Sequence, residues 1–325
     1  MRTSVLNDMK ARILTTTTLV AVFTGTLPAA DQKLLNLVMP DAKVVAGVNV
    51  LSAKNSPFGQ YVLSQFAGNA NFALATTQLG FDPTKDVIEV LTATNAVKDS
   101  PAGLAMATGT FNVSAITTAA VMQGKDNVVT ETYQGVTLLE DDKQVGAVAF
   151  LTSTLVVAGD IASVKAAIDR QAAPQALPSS LLQQINHLSA AEDAWFVSII
   201  PVSNLLGPNS GVVAPGLGAN AKTQLNIAQQ IQSANGGVKF GANVAFTGQA
   251  QADNAQDATN LAGMLQLVAN MLQLEGSKNP QAAAIGKALT VSSSGMAVNV
   301  SLTLPADQFQ KLVAPQSAVK HAVRQ

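Results

Sequence analysis

Short apolar runs and segments with apolar residues at helical spacing succeed one another along this sequence. An apolar run such as 44–50 is typical of a buried strand, whereas a polar cap followed by apolar residues three or four positions apart is typical of a helix. In the first half, these patterns predict strands at 44–50, 87–93, 104–111, 128–133, 135–139, 145–151 and 155–158, and helices at 56–68, 72–80, 112–124 and 161–168. In the second half, they predict strands at 194–200, 238–250 and 296–304, a glycine turn at 236–237, and helices at 181–188, 219–231, 255–274, 281–289 and from 305 onward.

The longest predicted helix, 255–274, has one apolar stripe. Its members repeat at spacings of four, three and four, which keeps them on one side of a helix with 3.6 residues per turn; they are Leu261, Leu265, Val268 and Leu272. The opposite side has amides rather than charges, namely Asn260, Gln266, Asn270 and Gln273. We therefore expect the leucine and valine stripe to be buried.

The two halves of the chain resemble each other in outline. Residues 41–45 (DAKVV) are similar to 193–197 (DAWFV), and each half continues with strands, a capped helix and strands around a glycine. An uncharged segment with two prolines, 171–180, is the best linker. These features predict an α+β fold in two similar halves, 31–170 and 181–325, each a mainly antiparallel sheet with amphipathic helices on one face. A chance likeness between apolar strands explains the similarity of the two halves as well as an internal duplication does.

The first 30 residues follow the order of a signal peptide. Arg2, Lys10 and Arg12 precede an uncharged stretch, Ile13 to Leu27, and small residues stand before Asp31. The stretch is shorter than the roughly 20 residues that a membrane-spanning helix needs. We expect export to the periplasm or the cell exterior, with cleavage between residues 27 and 32. The alternative is a frayed amphipathic start on a cytosolic protein.

The composition excludes several chemistries. The chain has no cysteine, so it has no disulfide, no zinc–thiolate site and no cysteine nucleophile. A net charge of −1 provides no long-range field for nucleic acid. Charged residues are 12% and hydrophobic residues 48%, which argues against disorder. After residue 30 no run of 18 or more residues is continuously apolar, so we expect a soluble mature chain without a transmembrane span.

The residues that could perform catalysis or hold a metal do not form a recognisable motif. His187 and His321 are the two imidazoles and stand alone, whereas a metal site needs several such ligands. Glu140, Asp141 and Asp142 are adjacent and lack the alternate spacing of a calcium loop, so a solvated turn is the better interpretation. The segment 216–221 (GLGANA) matches a phosphate-loop pattern but lacks the acidic residue that should follow. We therefore predict no catalytic, cofactor-binding or metal-binding residues.

The aromatic pair Trp195–Phe196 lies in a predicted strand without basic neighbours, which favours a place in the core or in a pocket wall over nucleic-acid stacking. Two glycosylation sequons, at Asn112 and Asn299, are interpreted as incidental.

The stretch 111–170, with Tyr133-Gln134-Gly135-Val136 and the strand Val156 to Asp160 before a helix, resembles exported bacterial proteins of unknown function. The segment from Gly295 to Pro305 is similar to the close of such proteins. The resemblance implies an exported α+β protein and assigns no activity or functional residues.

Three functions remain open at this point. The first is a binding or interaction module of the cell envelope, for another protein, a surface polymer or an apolar ligand. The second is a carrier of an apolar ligand, which a large apolar cavity would favour. The third is a carboxylate-dependent hydrolase, which needs two acidic side chains converging in a cleft. The partner, the ligand and the oligomeric state are not predicted.

Overall fold

A computed structural model describes residues 30–67, 76, 80–96, 102–124, 128–141, 143, 145–204, 230–274 and 279–313. Within these residues twelve strands form one antiparallel sheet, in the order β11-β12-β10-β9-β8-β1-β2-β3-β7-β6-β5-β4. The strands are β1 Val44–Asn49, β2 Val87–Thr94, β3 Gly103–Gly109, β4 Val128–Tyr133, β5 Val136–Asp141, β6 Gly146–Thr152, β7 Leu155–Asp160, β8 Ala194–Ser198, β9 Ile231–Lys239, β10 Asn243–Ala252, β11 Leu289–Ser294 and β12 Ala297–Pro305.

Helices pack on both faces of the sheet. They are α1 Gln32–Leu35, α2 Val50–Lys54, α3 Pro57–Ala67, α4 Pro83–Asp86, α5 Val113–Gly124, α6 Ile161–Ala172, α7 Ser179–Ala191, α8 Ala255–Leu274, α9 Pro280–Ala288 and α10 Ala306–Val313, with a short 3₁₀ turn at Val202–Asn204. The α+β class and the antiparallel sheet are confirmed. In this part of the chain no helix is long and apolar enough to cross a membrane.

Side chains alternate between the two faces along each strand, so each face has its own core. On the first face, which we call the α6 face, Val45, Leu91, Val157 and Val197 are fully buried beneath α1, α6 and α7. On the other face, the α5 face, three smaller clusters form beneath α3, α5, α8 and α10. The expectation that helices cover one face is therefore wrong, because both sides of the central strands are apolar.

Local caps and turns fix where the helices and hairpins begin. The Asp160 carboxylate accepts a hydrogen bond from the Ser163 amide at 2.8 Å and starts α6, as the sequence predicts. The Asn112 side chain accepts from the Ala115 amide at 3.2 Å and starts α5 in the same way. Between β4 and β5 the chain turns through Gln134 and Gly135, whose φ angles are 51° and 80°. That left-handed pair is the geometry of a two-residue hairpin turn.

Two expectations for the second half are wrong. Gly236 and Gly237 lie inside β9 and not in a turn. They allow close packing there, because a Cβ on Gly237 would overlap the Glu192 side chain. The single strand predicted at 238–250 is interrupted at 240–242, where the chain turns from β9 into β10. The segment Leu289–Ser294 forms the edge strand β11, which its serine-rich sequence did not predict. Predicted helices at 72–80 and 219–231 fall outside the described residues, apart from 76, 80 and 230–231.

The strands on either side of the predicted linker belong to the same sheet. β1 pairs with β8 in antiparallel register, and Val45 stands opposite Val197. Beyond this pair, the order β1-β2-β3-β7-β6-β5-β4 runs one way and β8-β9-β10-β12-β11 the other. The boundaries at 170 and 181 and the internal duplication stay predictions.

Candidate functional site: an apolar pocket under helix α5

A pocket of about 540 Å³ lies between α5 and the strands β5, β6 and β7. We call it the α5 pocket. Nine of its lining residues are apolar side chains from the helix, the sheet and two loops: Phe81, Phe111, Ile116, Ala120, Val128, Leu139, Val148, Phe150 and Val156. Its volume falls within the roughly 300–1,000 Å³ of small-molecule sites.

The roof and floor of this pocket follow directly from sequence periodicity. Ile116 and Ala120 are one helical turn apart on α5, and both line the pocket, whereas Val121 and Met122 face outward with 39% and 74% exposure. In the floor, Val148 and Phe150 alternate along β6, so both point to the α5 face.

Three phenylalanine rings form the wall of the α5 pocket. The centroid of Phe111 lies 5.7 Å from the centroid of Phe81 and 5.7 Å from that of Phe150. Phe111 is 4% exposed, while Phe81 and Phe150 are half-buried. Tilted and edge-on ring pairs at this distance stabilise a protein in addition to the effect of burying their apolar surface. The wall is therefore a packed aromatic unit that still presents apolar surface to the pocket.

At one end of the pocket the Asp141 carboxylate organises the turn between β5 and β6. It accepts hydrogen bonds from the Val145 amide at 2.8 Å and from the Gly146 amide at 3.0 Å. The three consecutive acidic residues, which the sequence predicted to form a solvated turn, thus do not share one environment. Asp141 shapes the pocket rim, Glu140 is buried in the sheet, and Asp142 lies outside the described residues.

Glu140 also borders the pocket, but its side chain faces away from it. It alternates with Leu139 on β5 and lies on the α6 face at 3% exposure, where its Oε1 atom has no hydrogen-bond partner within the part of the chain that the structure describes. Burial, together with the neighbouring Glu131 carboxylate, raises the pKa of Glu140. Glu131 itself bonds Lys165 Nζ at 2.8 Å, and this bond lowers the pKa of Glu131.

This pair of carboxylates does not meet the condition for a hydrolase. Glu140 is buried, but the Glu131 side chain is 40% exposed and is paired with Lys165. The larger cavities of the described structure do not have Glu131 in their lining. The two acids therefore form part of the packing between β4, β5 and α6.

Two other cavities have more polar linings than the α5 pocket. One, of about 690 Å³, lies beside α6 and is bordered by Asp41, Asp160 and the buried Arg170, whose Nε donates to the Leu37 carbonyl at 2.9 Å. Burial lowers the pKa of Arg170. The other, of about 530 Å³, lies between α7 and the open part of the α6 face, and amides and hydroxyls line it. Solvated sheet faces commonly have such side chains.

His187 lines this amide and hydroxyl groove. His321 and the 216–221 segment lie outside the described residues. Among those that are described, no three histidine or acidic side chains converge as metal ligands. Trp195 is buried at 5% exposure and packs against Gly47, as expected of a core residue, while the adjacent Phe196 is 37% exposed. The apolar pocket was not predicted residue by residue, because its lining comes from segments far apart in the chain.

The comparisons with known proteins bear on the fold alone. No protein-family model matches the chain, and no curated protein matches it. Among solved structures, crystal form III of TP0453 has a TM-score of 0.55 at 12% identity, over 86% of this chain and 96% of that one. Crystal form I has a TM-score of 0.52 at 12% identity, over 86% and 95%, and crystal form IV has 0.52 at 10%, over 90% and 98%. The chain thus shares its overall fold with TP0453.

Proposed function

We propose that this chain is an exported binding protein of the cell envelope and that it binds an apolar molecule in the α5 pocket. The observation that carries the proposal is the pocket lining itself. Nine apolar side chains, three of them phenylalanines, surround about 540 Å³ of space. Because removal of apolar surface from water stabilises a protein, this lining favours an apolar molecule in the pocket.

The chemistry of the pocket favours binding over catalysis. Apolar lining with a few polar groups at the margin is the usual composition of a small-molecule site. The Asp141 carboxylate is already bonded to two backbone amides of its own turn. It shapes the rim and can also orient a polar end of the ligand. A molecule with an apolar body and one polar end suits this arrangement.

The export part of the proposal has separate support. It rests on the basic start, the uncharged stretch and the small residues within 1–30. An exported binding protein agrees with the resemblance to exported proteins, which implies no activity.

Filling the pocket tests the binding site. Ala120→Phe places a ring in the space under α5 and should weaken binding of the neutral probe N-phenyl-1-naphthylamine by about tenfold or more, which corresponds to about 1.4 kcal/mol. Val121→Phe creates the same residue one position along the same helix, where the side chain points outward. It should bind the probe as the wild type does. Fluorescence titration of the three proteins measures the difference.

Equal affinity in all three proteins would contradict the proposed site. Native mass spectrometry of protein recovered from its own host gives an independent measurement. We expect one bound apolar molecule per chain in the wild type, and less of it with Ala120→Phe. Circular dichroism spectra of the two variants should match the wild type, so that lost binding is not lost folding.

A further inference from the structure

The carboxylate of Glu89 lies near the start of the described chain and has no cationic partner among the described residues. It projects from β2, and its Oε2 atom accepts a hydrogen bond from the Asp31 amide at 3.1 Å. No salt bridge among the described residues includes Glu89. Burial raises the pKa of Glu89 to about 7, and the charged group that acts on it is the Asp31 carboxylate, which adds to the rise.

The backbone around Asp31 is held in place by several bonds. The Asp31 carbonyl accepts hydrogen bonds from the Leu34 amide at 2.9 Å and from the Leu35 amide at 3.1 Å, and these bonds do not involve Ala30. The Asp31 carboxylate caps α1 through the Lys33 amide at 2.8 Å. The nitrogen of residue 31 therefore sits at a fixed point beside the Glu89 carboxylate. A half-buried carboxylate at such a point favours a positive charge on that nitrogen.

We propose that export processing cleaves the Ala30–Asp31 peptide bond and that the α-ammonium group of Asp31 then pairs with the Glu89 carboxylate. In the cleavage, water adds its hydroxyl to the Ala30 carbonyl carbon and a proton to the Asp31 nitrogen as the C–N bond breaks. The amine then takes a second proton from solvent and becomes the ammonium. The hydrogen bond seen between the amide and Glu89 becomes an ion pair at the same place. This inference rests on the export part of the proposed function.

Neighbouring cleavage positions fit less well. Cleavage before Ala30 would place the ammonium against the Ser189 hydroxyl, which offers no negative charge. Cleavage after Asp31 would remove the cap of α1. Loss of Ala30 leaves the Ser189 hydroxyl with the Asn186 carbonyl as an acceptor, at 3.5 Å. The geometry thus selects one bond within the 27–32 range that the sequence predicts.

The ion pair can be measured by titration of Glu89. Two proteins are compared, the chain that begins at Asp31 and the same chain with an acetyl group on that amine, so that they differ in one charge. By carbon-13 NMR of the side-chain carboxyl, we expect the pKa of Glu89 to fall below about 6 with the free amine, since an adjacent positive charge favours the carboxylate. The acetylated chain should keep the raised pKa. Equal values in the two proteins would overturn the inference.

Thermal denaturation of the same pair provides a second readout. At neutral pH the free-amine chain should melt at a higher temperature than the acetylated chain, and Glu89→Gln should abolish that difference. A difference that persists in Glu89→Gln would show that the ammonium acts elsewhere and would overturn the pairing.

The N-terminus of protein recovered from its own host decides the cleavage position. Mass spectrometry should find Asp31 as the first residue. A cleaved chain with another first residue would overturn this inference and leave export standing. An intact N-terminus beginning at Met1 would contradict both. Probe binding in the α5 pocket is scored separately, so the outcomes remain distinguishable.

Discussion

A single glycine lets the tryptophan of this protein pack across the central strands. Gly47 on β1 stands opposite Trp195 on β8, and a Cβ at Gly47 would lie 2.5 Å from Trp195 Cζ2. Gly47→Ala should therefore force the indole to move and cost about 1–3 kcal/mol of unfolding free energy. Urea denaturation followed by tryptophan fluorescence measures this. Gly103→Ala on β3 is the matched control, because a Cβ there meets no atom of the described residues within 4 Å. Equal loss in both variants would contradict the packing argument.

The buried Glu140 makes the stability of the fold depend on pH. Because burial raises its pKa in the folded state, its favourable contribution is present below the ordinary carboxyl pKa and is lost as the pH rises through the raised value. Glu140→Gln has no proton to lose. As the pH rises above the ordinary carboxyl pKa, the variant should therefore lose less stability than the wild type. Melting temperatures measured over a series of pH values give the slope for each protein, and identical slopes would contradict the assignment.

At the scale of single residues, the alternation of a strand predicts the position of Glu140 better than its adjacency to two other acidic residues does. Glu140 was assigned to a turn because Glu140, Asp141 and Asp142 are consecutive acids. The strand β5 extends to Asp141, and its alternation places Leu138 and Glu140 on the same buried face. Had the strand been extended by two residues, the inward position of Glu140 would have followed. That its Oε1 atom has no hydrogen-bond partner among the described residues depends on tertiary packing, which the sequence does not display.

At the scale of elements, helix α8 is buried along a narrower stripe than its sequence predicts. Of the four predicted positions, Leu261 is 1% exposed, while Leu265, Val268 and Leu272 are half-buried. A second set of apolar side chains faces outward, at 40% to 83% exposure: Met264, Leu267, Met271 and Leu274. The period predicts the helix and its inward side, but the width of the contact depends on β10, β11, β12 and α9 around it.

A matched pair of leucines tests this division of α8. Leu261→Ala removes a fully buried side chain and should cost about 2–5 kcal/mol. Leu267→Ala makes the same chemical change at a position that is 60% exposed, and it should change stability by no more than about 0.5 kcal/mol. Urea denaturation of both variants measures the two values. A large loss with Leu267→Ala would mean that the outward side of α8 is covered in solution.

The β-strands show where sequence patterns stop being informative. The meander β4 to β7 was predicted nearly residue by residue, because its strands alternate or run apolar between clear turns. In the second half, β11 (LTVSSS) and β9 (IQSANGGVK) have polar or small residues on one face, which is solvated around the amide and hydroxyl groove. Their strand character comes from pairing with β12, β10 and β8, and a single sequence does not reveal pairing partners.

At the scale of the whole molecule, the contact between β1 and β8 determines how the halves behave. The two similar segments, 41–45 and 193–197, align Val45 with Val197, and these residues also face each other in the register of the two strands. Both are fully buried. The sequence indicates the similarity, but it does not indicate that the similar strands pair with each other. Because they do, one continuous sheet joins the segments on either side of 171–180.

This continuity predicts a single cooperative unfolding transition. The core beneath α6 and α7 includes side chains from both halves, among them Leu138 in the first and Ile185 in the second, so neither half keeps its burial without the other. Tryptophan fluorescence reports on the junction through Trp195, and far-ultraviolet circular dichroism reports on all elements; we expect the two urea transitions to coincide. Val197→Ala should shift both together by about 1–3 kcal/mol. Two separate transitions, or a shift seen by fluorescence alone, would mean that 31–170 and 181–325 unfold as independent domains.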